Sequence, residues 1–204
     1  MAVNLTVRAQ IVDLANHAPA AGESYLVDTN VWWWTSYAFA PELAPEKKPR
    51  PYQLSVYPDF LKRAKIAGAK LHWSPLTWPE LAHHIERTEF EMAKYYGSPN
   101  AENAKSYRHN DLAERARVVQ VFADAWDEIQ ELGSSLGDVV VSPALLAEAA
   151  TLQKEAGLDG YDLFLALALR TANITGIITD DGDFATVPGI RLFTANRNVL
   201  RTLQ

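Results

Sequence analysis

The sequence contains no cysteine among its 204 residues. Disulfide bonds and thiolate metal sites are therefore excluded, and the absence suits a reducing compartment, so we expect a cytoplasmic protein. Long apolar runs are missing too, because the longest mostly apolar stretch, 161–169, contains Asp162 and is too short to cross a bilayer. No basic segment followed by an apolar run opens the chain, as a signal peptide requires. We expect no membrane partner.

An excess of basic residues is also lacking, since 19 Lys and Arg stand against 25 Asp and Glu and give a net charge of -6. Nucleic-acid binding driven by overall charge is therefore not expected, and such a partner would have to meet a local basic patch or bound cations. With 48% apolar and 22% charged residues, the composition is that of an ordinary globular chain. The length favours one α/β domain with an insertion.

Short apolar runs alternate with amphipathic segments along most of the chain. They predict about five strands, at 25–28, 69–73, 138–142, 176–179 and 190–193, separated by helices. Repeated strand–helix units imply a parallel sheet covered on both faces. We expect an N-terminal extension of uncertain structure (1–24), a domain over 25–204, a proline-rich loop at 39–58 and a long helix or helix pair at 101–132.

Acidic residues stand where these elements meet. Asp28 ends the first predicted strand, and Asp180, Asp181 and Asp183 follow the strand at 176–179. In open α/β sheets ligands bind beyond the carboxyl ends of the strands, and carboxylates gathered there repel one another unless a positive charge intervenes. Asp162 opens a helix that is apolar on all sides and should be buried. These acids predict a site for a hard divalent cation with oxygen ligands.

Several of these features also have simpler structural explanations. Asp28 could be a helix N-cap, and Thr77-Trp78-Pro79-Glu80 has the form of a capping box with proline in the first turn. The three late aspartates could serve a tight turn. The Trp32-Trp33-Trp34 run is most simply core packing, with base stacking as the minority interpretation. The letters Gly133-Ser134-Ser135-Leu136-Gly137 match a nucleophile elbow, but the order of predicted elements is wrong and we interpret them as a loop.

Four motifs in the same order resemble those of the PIN-domain nucleases. They are Leu26-Val27-Asp28-Thr29-Asn30, Pro79-Glu80-Leu81, Tyr161-Asp162-Leu163-Phe164-Leu165-Ala166 and Ile177-Ile178-Thr179-Asp180-Asp181-Gly182-Asp183-Phe184. Each motif alone is weak, but together they are quite specific, and the resemblance spans about 25–193. It implies a three-layer α/β/α fold with a central parallel sheet. Two stretches depart from the compact toxins of this family: the loop at 39–58 and the segment at about 94–133, which we treat as a helical insertion.

The resemblance implies an endoribonuclease that cleaves RNA with Mg²⁺ or Mn²⁺. By this resemblance Asp28, Glu80 and Asp162 would hold the metal, with Asp181 as the fourth ligand and Asp183 close behind it, because the doubled acids leave the register open. Thr29 and Thr179 would orient the carboxylates. The substrate backbone could be held by one of two basic groups: Lys47, Lys48 and Arg50, or Lys62, Arg63 and Lys65.

A toxin of a toxin–antitoxin pair is one role compatible with this resemblance, and an antitoxin protein would then be a partner. Toxins of this type commonly dimerise, and the tryptophan run and the 101–132 segment offer apolar surface, so a homodimer is expected. A haloacid-dehalogenase-type phosphatase needs D-x-D-x-T, which Asn30 breaks. The remaining alternative is a PIN-like RNA-binding or scaffold protein without catalysis, although all four acids are present.

Overall fold

A single all-parallel sheet forms the centre of the protein. The computed structural model describes residues 6–40, 43 and 48–203, and within them the sheet has six strands in the order β1-β6-β5-β2-β3-β4. The strands are β1 (Gln10–Asp13), β2 (Ser24–Val27), β3 (Lys70–Trp73), β4 (Ser134–Ser135), β5 (Gly176–Ile178) and β6 (Arg191–Thr194). The expected α/β architecture with a parallel sheet is confirmed, with six strands where about five were predicted.

Helices cover both faces of the sheet. In the described ranges they are α1 (Thr29–Ser36), α2 (Val56–Ile66), α3 (Thr77–Tyr95), α4 (Ala104–Asn110), α5 (Leu112–Leu132), α6 (Pro143–Glu155), α7 (Gly160–Thr171) and α8 (Arg197–Leu200), with 3-10 helices at Gly182–Thr186 and Arg201–Leu203. None of these helices is long and apolar enough to span a membrane.

Alternate side chains of the strands pack into two separate apolar cores, because successive strand residues point to opposite faces of the sheet. Tyr25 and Val27 of β2 pack with the buried residues of α1 to α5, whereas Leu26 packs with those of α6 to α8. The three layers expected for the fold follow from this division. The two cores also fix which helix ends meet at the carboxyl edge of the sheet.

The N-terminal segment supplies an edge strand that the sequence pattern left unplaced. Gln10–Asp13 runs parallel to β6, with Ile11 opposite Leu192 and Val12 opposite Phe193. Leu14, which follows the strand, is fully buried. This part of the predicted N-terminal extension therefore belongs to the same sheet as the rest of the domain.

The strand predicted at 138–142 is wrong. That segment has no regular structure, and Val140 and Val141 are 72% and 55% exposed, so its valines do not enter the core. The sheet instead gains Ser134–Ser135, which pairs with His72 and Trp73. The loop expected at 133–137 thus contains a short strand. Gly133 makes this entry possible, because an added Cβ would lie 3.0 Å from the Leu71 carbonyl oxygen.

The segment at 94–133 is a helix pair that packs into the main core. α4 and α5 meet at Asp111, and Tyr107, Val118 and Ile129 are buried against α1 to α3. Whatever its origin, this segment covers one face of the sheet as an integral layer.

The proline-rich loop is shorter than predicted, because α2 begins at Val56. Pro58 therefore lies in the first turn of a helix, where a missing N–H removes no helical hydrogen bond. The predicted loop is confirmed at the other two prolines of this stretch that the structure describes, Pro49 and Pro51, because both lie outside helices and strands.

The tryptophan run is core, as its simplest interpretation predicted. Trp32 and Trp33 are 0% and 7% exposed, and the Trp34 ring lies 5.3 Å from that of Tyr57. These side chains are covered by the chain itself and offer little apolar surface to a second copy. The homodimer stays a prediction, and the tryptophan run no longer supports it.

The central strands pack closely enough that a single methyl group should destabilise them. We expect Gly176→Ala to lower the free energy of unfolding by about 1–3 kcal/mol, because its Cβ would lie 3.0 Å from Tyr25 Cδ1 and 3.1 Å from the Ser24 carbonyl oxygen. Chemical denaturation monitored by circular dichroism measures this. Gly157→Ala is the matched control, since its Cβ would meet only Thr186 at 3.6 Å. Equal stability of the two variants would contradict this account of the packing.

Candidate functional site

The sheet has one point where its strand order reverses, between β2 and β5. From β2 the chain moves outward through β3 and β4, and from β5 it moves outward through β6 on the other side. A crevice opens beyond the carboxyl ends of the strands at such a point. The backbone N–H of Asp28 donates to the carbonyl of Ile178 at 3.0 Å. Asp28 therefore lies directly beside the residues that follow β5.

Asp28 is a buried carboxylate with a hydroxyl partner. It is 3% exposed, and its Oδ2 accepts a hydrogen bond from Thr179 Oγ1 at 2.7 Å. It occupies the N-cap position of α1 but makes no side-chain cap there. Burial raises its pKa to about 7, and the nearby charges of Glu80 and Asp181 act in the same direction, against the Thr179 hydrogen bond. The simple N-cap interpretation is therefore insufficient.

Glu80 does not form the capping box that its sequence suggests. α3 begins at Thr77 with no side-chain cap. The Glu80 carboxylate instead accepts a hydrogen bond at 2.5 Å from Thr29 Oγ1, the hydroxyl next to Asp28. Burial raises the pKa of Glu80. The side chain thus points towards the end of β2 and away from its own helix terminus.

Asp162 lies in the first turn of α7, as predicted. A helix N-terminus favours a carboxylate, yet the pKa of Asp162 is raised to about 8. Burial is the largest cause, followed by the charges of Asp28, Asp181 and Glu80. Like-charge repulsion and desolvation therefore outweigh the helix dipole here. The four acids lie close enough to act on one another.

The three late aspartates have different surroundings. Asp180 is tied by its carboxylate to the segment that precedes and begins α2. Asp181 faces the other acids, since its charge acts on both Asp28 and Asp162, and its Oδ1 accepts from the Asp183 N–H at 2.8 Å. Asp183 is exposed, and its pKa is raised by partial burial and by Asp181. Asp181 is therefore the member of the trio that belongs to the acidic site.

The chemistry of this donor set suits a hard divalent cation, but the side chains are not poised around one. Carboxylates that raise one another's pKa in a buried crevice are stabilised by a nearby positive charge. Across the described residues, however, no three Asp, Glu or His side chains are arranged so that they could hold a metal ion. Two of the carboxylates, Asp28 and Glu80, are engaged by threonine hydroxyls. A cation would have to draw the acidic side chains closer together than they lie here.

The two predicted basic groups fare differently. Arg63 donates to the carbonyls of His17 and Leu14, and Lys65 donates to the Glu131 carbonyl, so these two cations serve contacts within the fold, whereas Lys62 is exposed on α2. Lys47 lies outside the described residues. Lys48 and Arg50 are exposed in the segment that leads to α2.

Sequence reasoning missed the residues that hold this segment against the site. They are Tyr52, Gln53 and Tyr57, which donate to the Asp180 carboxylate, and Asn196, which donates to the Asp180 carbonyl oxygen. Their partner lies more than 100 positions away for the first three, so no local pattern could have revealed them.

Comparison with protein-family models gives no match for this sequence, and comparison with curated proteins gives none either. Family membership therefore stays a prediction from the four motifs.

We expect Asp162→Asn to stabilise the protein in chelator by about 1 kcal/mol near pH 7, because the acid, whose pKa is raised to about 8, must bind a proton on folding or carry a charge that its neighbours repel, and asparagine does neither. An acid whose folded-state pKa is raised stabilises the fold below its unfolded pKa of about 4 and loses that contribution as pH rises through the folded value. Since Asp28 and Asp162 reach about 7 and about 8, stability should fall between about pH 4 and pH 8. In thermal melts recorded across this pH range, the melting temperature of the variant should decrease less than that of the wild type.

Asp127→Asn provides the control for this measurement, because Asp127 is an exposed residue of α5. It should leave the pH profile of the wild type unchanged. A loss of stability in Asp162→Asn with an unaltered profile would mean that Asp162 acts only in the helix terminus.

Proposed function

We propose that the protein is a metal-dependent phosphodiesterase that cleaves RNA, with its acidic crevice as the active site. The observation that supports this most directly is the meeting of acids from separate elements at the ends of β2 and β5, where Asp28 bonds to Thr179 and Glu80 bonds to Thr29 beside it. The raised pKa of Asp162, caused by burial and by the charges of Asp28, Asp181 and Glu80, agrees with this. Strongly perturbed acids in a crevice at the switch point of a parallel sheet are typical of a functional site. A purely structural role gives no reason to gather four acids from separate elements.

Asp28, Glu80, Asp162 and Asp181 would hold Mg²⁺ or Mn²⁺, directly or through water. When bound, such a cation supplies an activated water and neutralises the charge that develops on the phosphate. Thr29 and Thr179 would keep the carboxylates oriented towards it, as neighbours of metal ligands commonly do. Asp183 would remain at the rim, because it is exposed and its backbone N–H is used by Asp181.

RNA is the proposed substrate class because the four motifs resemble those of PIN-domain endoribonucleases. The net charge of -6 requires local cations for a polyanionic substrate. Lys48 and Arg50 provide exposed positive charge in the segment that Asp180 holds. Within the same proposal, the protein is the toxin of a toxin–antitoxin pair and a homodimer, with an antitoxin as partner.

A catalytically inactive RNA-binding or scaffold protein is the second candidate. The arrangement of the described side chains favours it in one respect, because no three of the acidic or imidazole groups there could hold a metal as they lie. The two candidates differ in whether a cation draws the acids together. That difference is measurable without knowing the natural RNA.

We expect the purified protein to cleave a fluorescent single-stranded RNA in the presence of Mn²⁺ and to stop when chelator is added. Asp28→Asn and Asp162→Asn should lose cleavage by orders of magnitude, because each removes a proposed ligand. Thr179→Val should reduce cleavage by roughly 10- to 100-fold, the usual effect of losing a group that orients a ligand. Initial rates from gel electrophoresis give these values.

Asp127→Asn, purified in parallel, controls for charge and for contaminating ribonucleases and should cleave like the wild type. Mn²⁺ should also raise the melting temperature of the wild type more than that of Asp162→Asn, since the gain tracks affinity for the folded state. RNA binding without cleavage in any divalent cation would instead support the scaffold protein.

A further inference from the structure

The Asp180 carboxylate is bound from three sides by the chain segment that precedes and begins α2. Its Oδ2 accepts from Tyr52 Oη at 2.9 Å and from Gln53 Nε2 at 2.7 Å. Its Oδ1 accepts from Tyr57 Oη at 2.6 Å. These contacts span 123 to 128 positions in the sequence, so Asp180 joins the end of β5 to a distant segment.

The residues that hold Asp180 are themselves bonded to other parts of the fold. The Tyr57 side chain is fully buried, and its hydroxyl also accepts from the Ala195 N–H at 3.0 Å. The Asp180 carbonyl oxygen accepts from Asn196 Nδ2 at 2.7 Å. Burial raises the pKa of Tyr52 to about 12, and the Asp180 charge adds to this effect. Tyr52 therefore stays protonated and remains a donor to Asp180 near neutral pH.

Arg50 is attached to the residues that hold Asp180. Its backbone N–H donates to Gln53 Oε1 at 2.7 Å, and its carbonyl accepts from the Gln53 N–H at 2.9 Å. The charge of its guanidinium lowers the pKa of Tyr52, against the stronger effect of burial. Arg50 thus lies one side chain away from Asp180, whose neighbour Asp181 faces the acidic site.

We infer that Asp180 is a positioning residue that holds Arg50, through Tyr52 and Gln53, as a contact for the phosphate backbone of single-stranded RNA entering the acidic site. The inference rests on the proposed function. A guanidinium suits this task, because it presents several donors in a fork that matches phosphate oxygens. A strand of RNA needs such a cation at the rim, since the acids alone would repel it.

Two of the three alternative cations on α2 are already engaged within the fold. Arg63 and Lys65 donate to backbone carbonyls elsewhere in the fold. Arg50, by contrast, is exposed, and its backbone is held by Gln53. The position of this positive charge is therefore set by a negatively charged side chain.

Removing the negative charge of Asp180 should weaken RNA binding. Simple electrostatics predicts the opposite, because a polyanion binds more tightly when a nearby negative charge is lost. A positioning role predicts weaker binding, because the carboxylate that orients Tyr52 and Gln53 is gone. A merely structural role predicts a lower melting temperature with no weakening of RNA binding.

Binding of a fluorescent single-stranded RNA is measured by anisotropy in an Asp28→Asn background, which keeps cleavage from interfering, with Asp162→Asn as a second background. Arg50→Ala should raise the Kd roughly tenfold, as expected for one charge-assisted contact. It should also reduce the slope of log K against log salt by about 1. Asp180→Asn should raise the Kd by a similar factor, and the double variant should match Arg50→Ala alone.

Two controls separate charge and stability from positioning. Arg170→Ala removes an exposed arginine from the last turn of α7, at the opposite end of the helix from Asp162, and should leave the salt slope unchanged. Asp111→Asn replaces a different carboxylate, which accepts hydrogen bonds from the Glu114 N–H and from Asn100. It should lower the melting temperature without changing the Kd for RNA.

An unchanged or lower Kd for Asp180→Asn would overturn the inference, and so would additive effects of the two substitutions. Absence of RNA binding in both backgrounds would overturn it as well. Cleavage by the wild type tests the proposed function separately. If the protein binds RNA through Arg50 but cleaves no RNA with Mn²⁺, the proposed nuclease activity is refuted and the proposed role of Arg50 stands.

Discussion

Backbone pairing between β2 and β5 brings together parts of the chain that are far apart in sequence. Asp28 and Thr179, which share a hydrogen bond, are separated by 151 positions. Because both strands are parallel and adjacent at the point where the strand order reverses, their carboxyl ends deliver acids into one crevice. α3 and α7 begin at the same edge and add Glu80 and Asp162. The candidate site therefore exists only in the folded sheet.

This gathering of acids opposes folding, so the rest of the structure has to offset it. Buried carboxylates with raised pKa values are costly when ionised. The fold counters this with two apolar cores, one on each face of the sheet. Hydroxyls from Thr29 and Thr179 provide partial compensation at the site itself. Local conflict of this kind, placed where the strands end, is typical of a functional site and not of a scaffold alone.

Much of the fold could be predicted from the sequence, because buried parallel strands and amphipathic helices leave strong local signals. The acids also stood out, since Asp28, Asp162 and Asp181 follow or begin elements whose apolar patterns are clear. The failures have tertiary causes. The valines at 139–141 have the composition of a strand but are left outside the sheet, which takes two serines instead.

Other parts of the site could not be found from local patterns. Glu80 fits a capping box by letter, yet a threonine 51 positions away takes its carboxylate. Asp180 is one of three neighbouring aspartates and differs from the other two in the side chains that donate hydrogen bonds to its carboxylate. Its partners Tyr52 and Gln53 belong to a segment whose prolines predict a loop and nothing more. Long-range hydrogen bonds of this type have no periodicity that a sequence could display.

The two borders of the sheet are both short. One is β4, with two residues, and the other is β1, with four. Unpaired backbone groups on a border strand invite strands from other molecules, and short borders are one way in which proteins limit aggregation. β4 offers very few such groups, so a partner chain would gain little by extending the sheet on that side. The other border, β1, is as long as the central strands and is the side on which added strands would find a full row of partners.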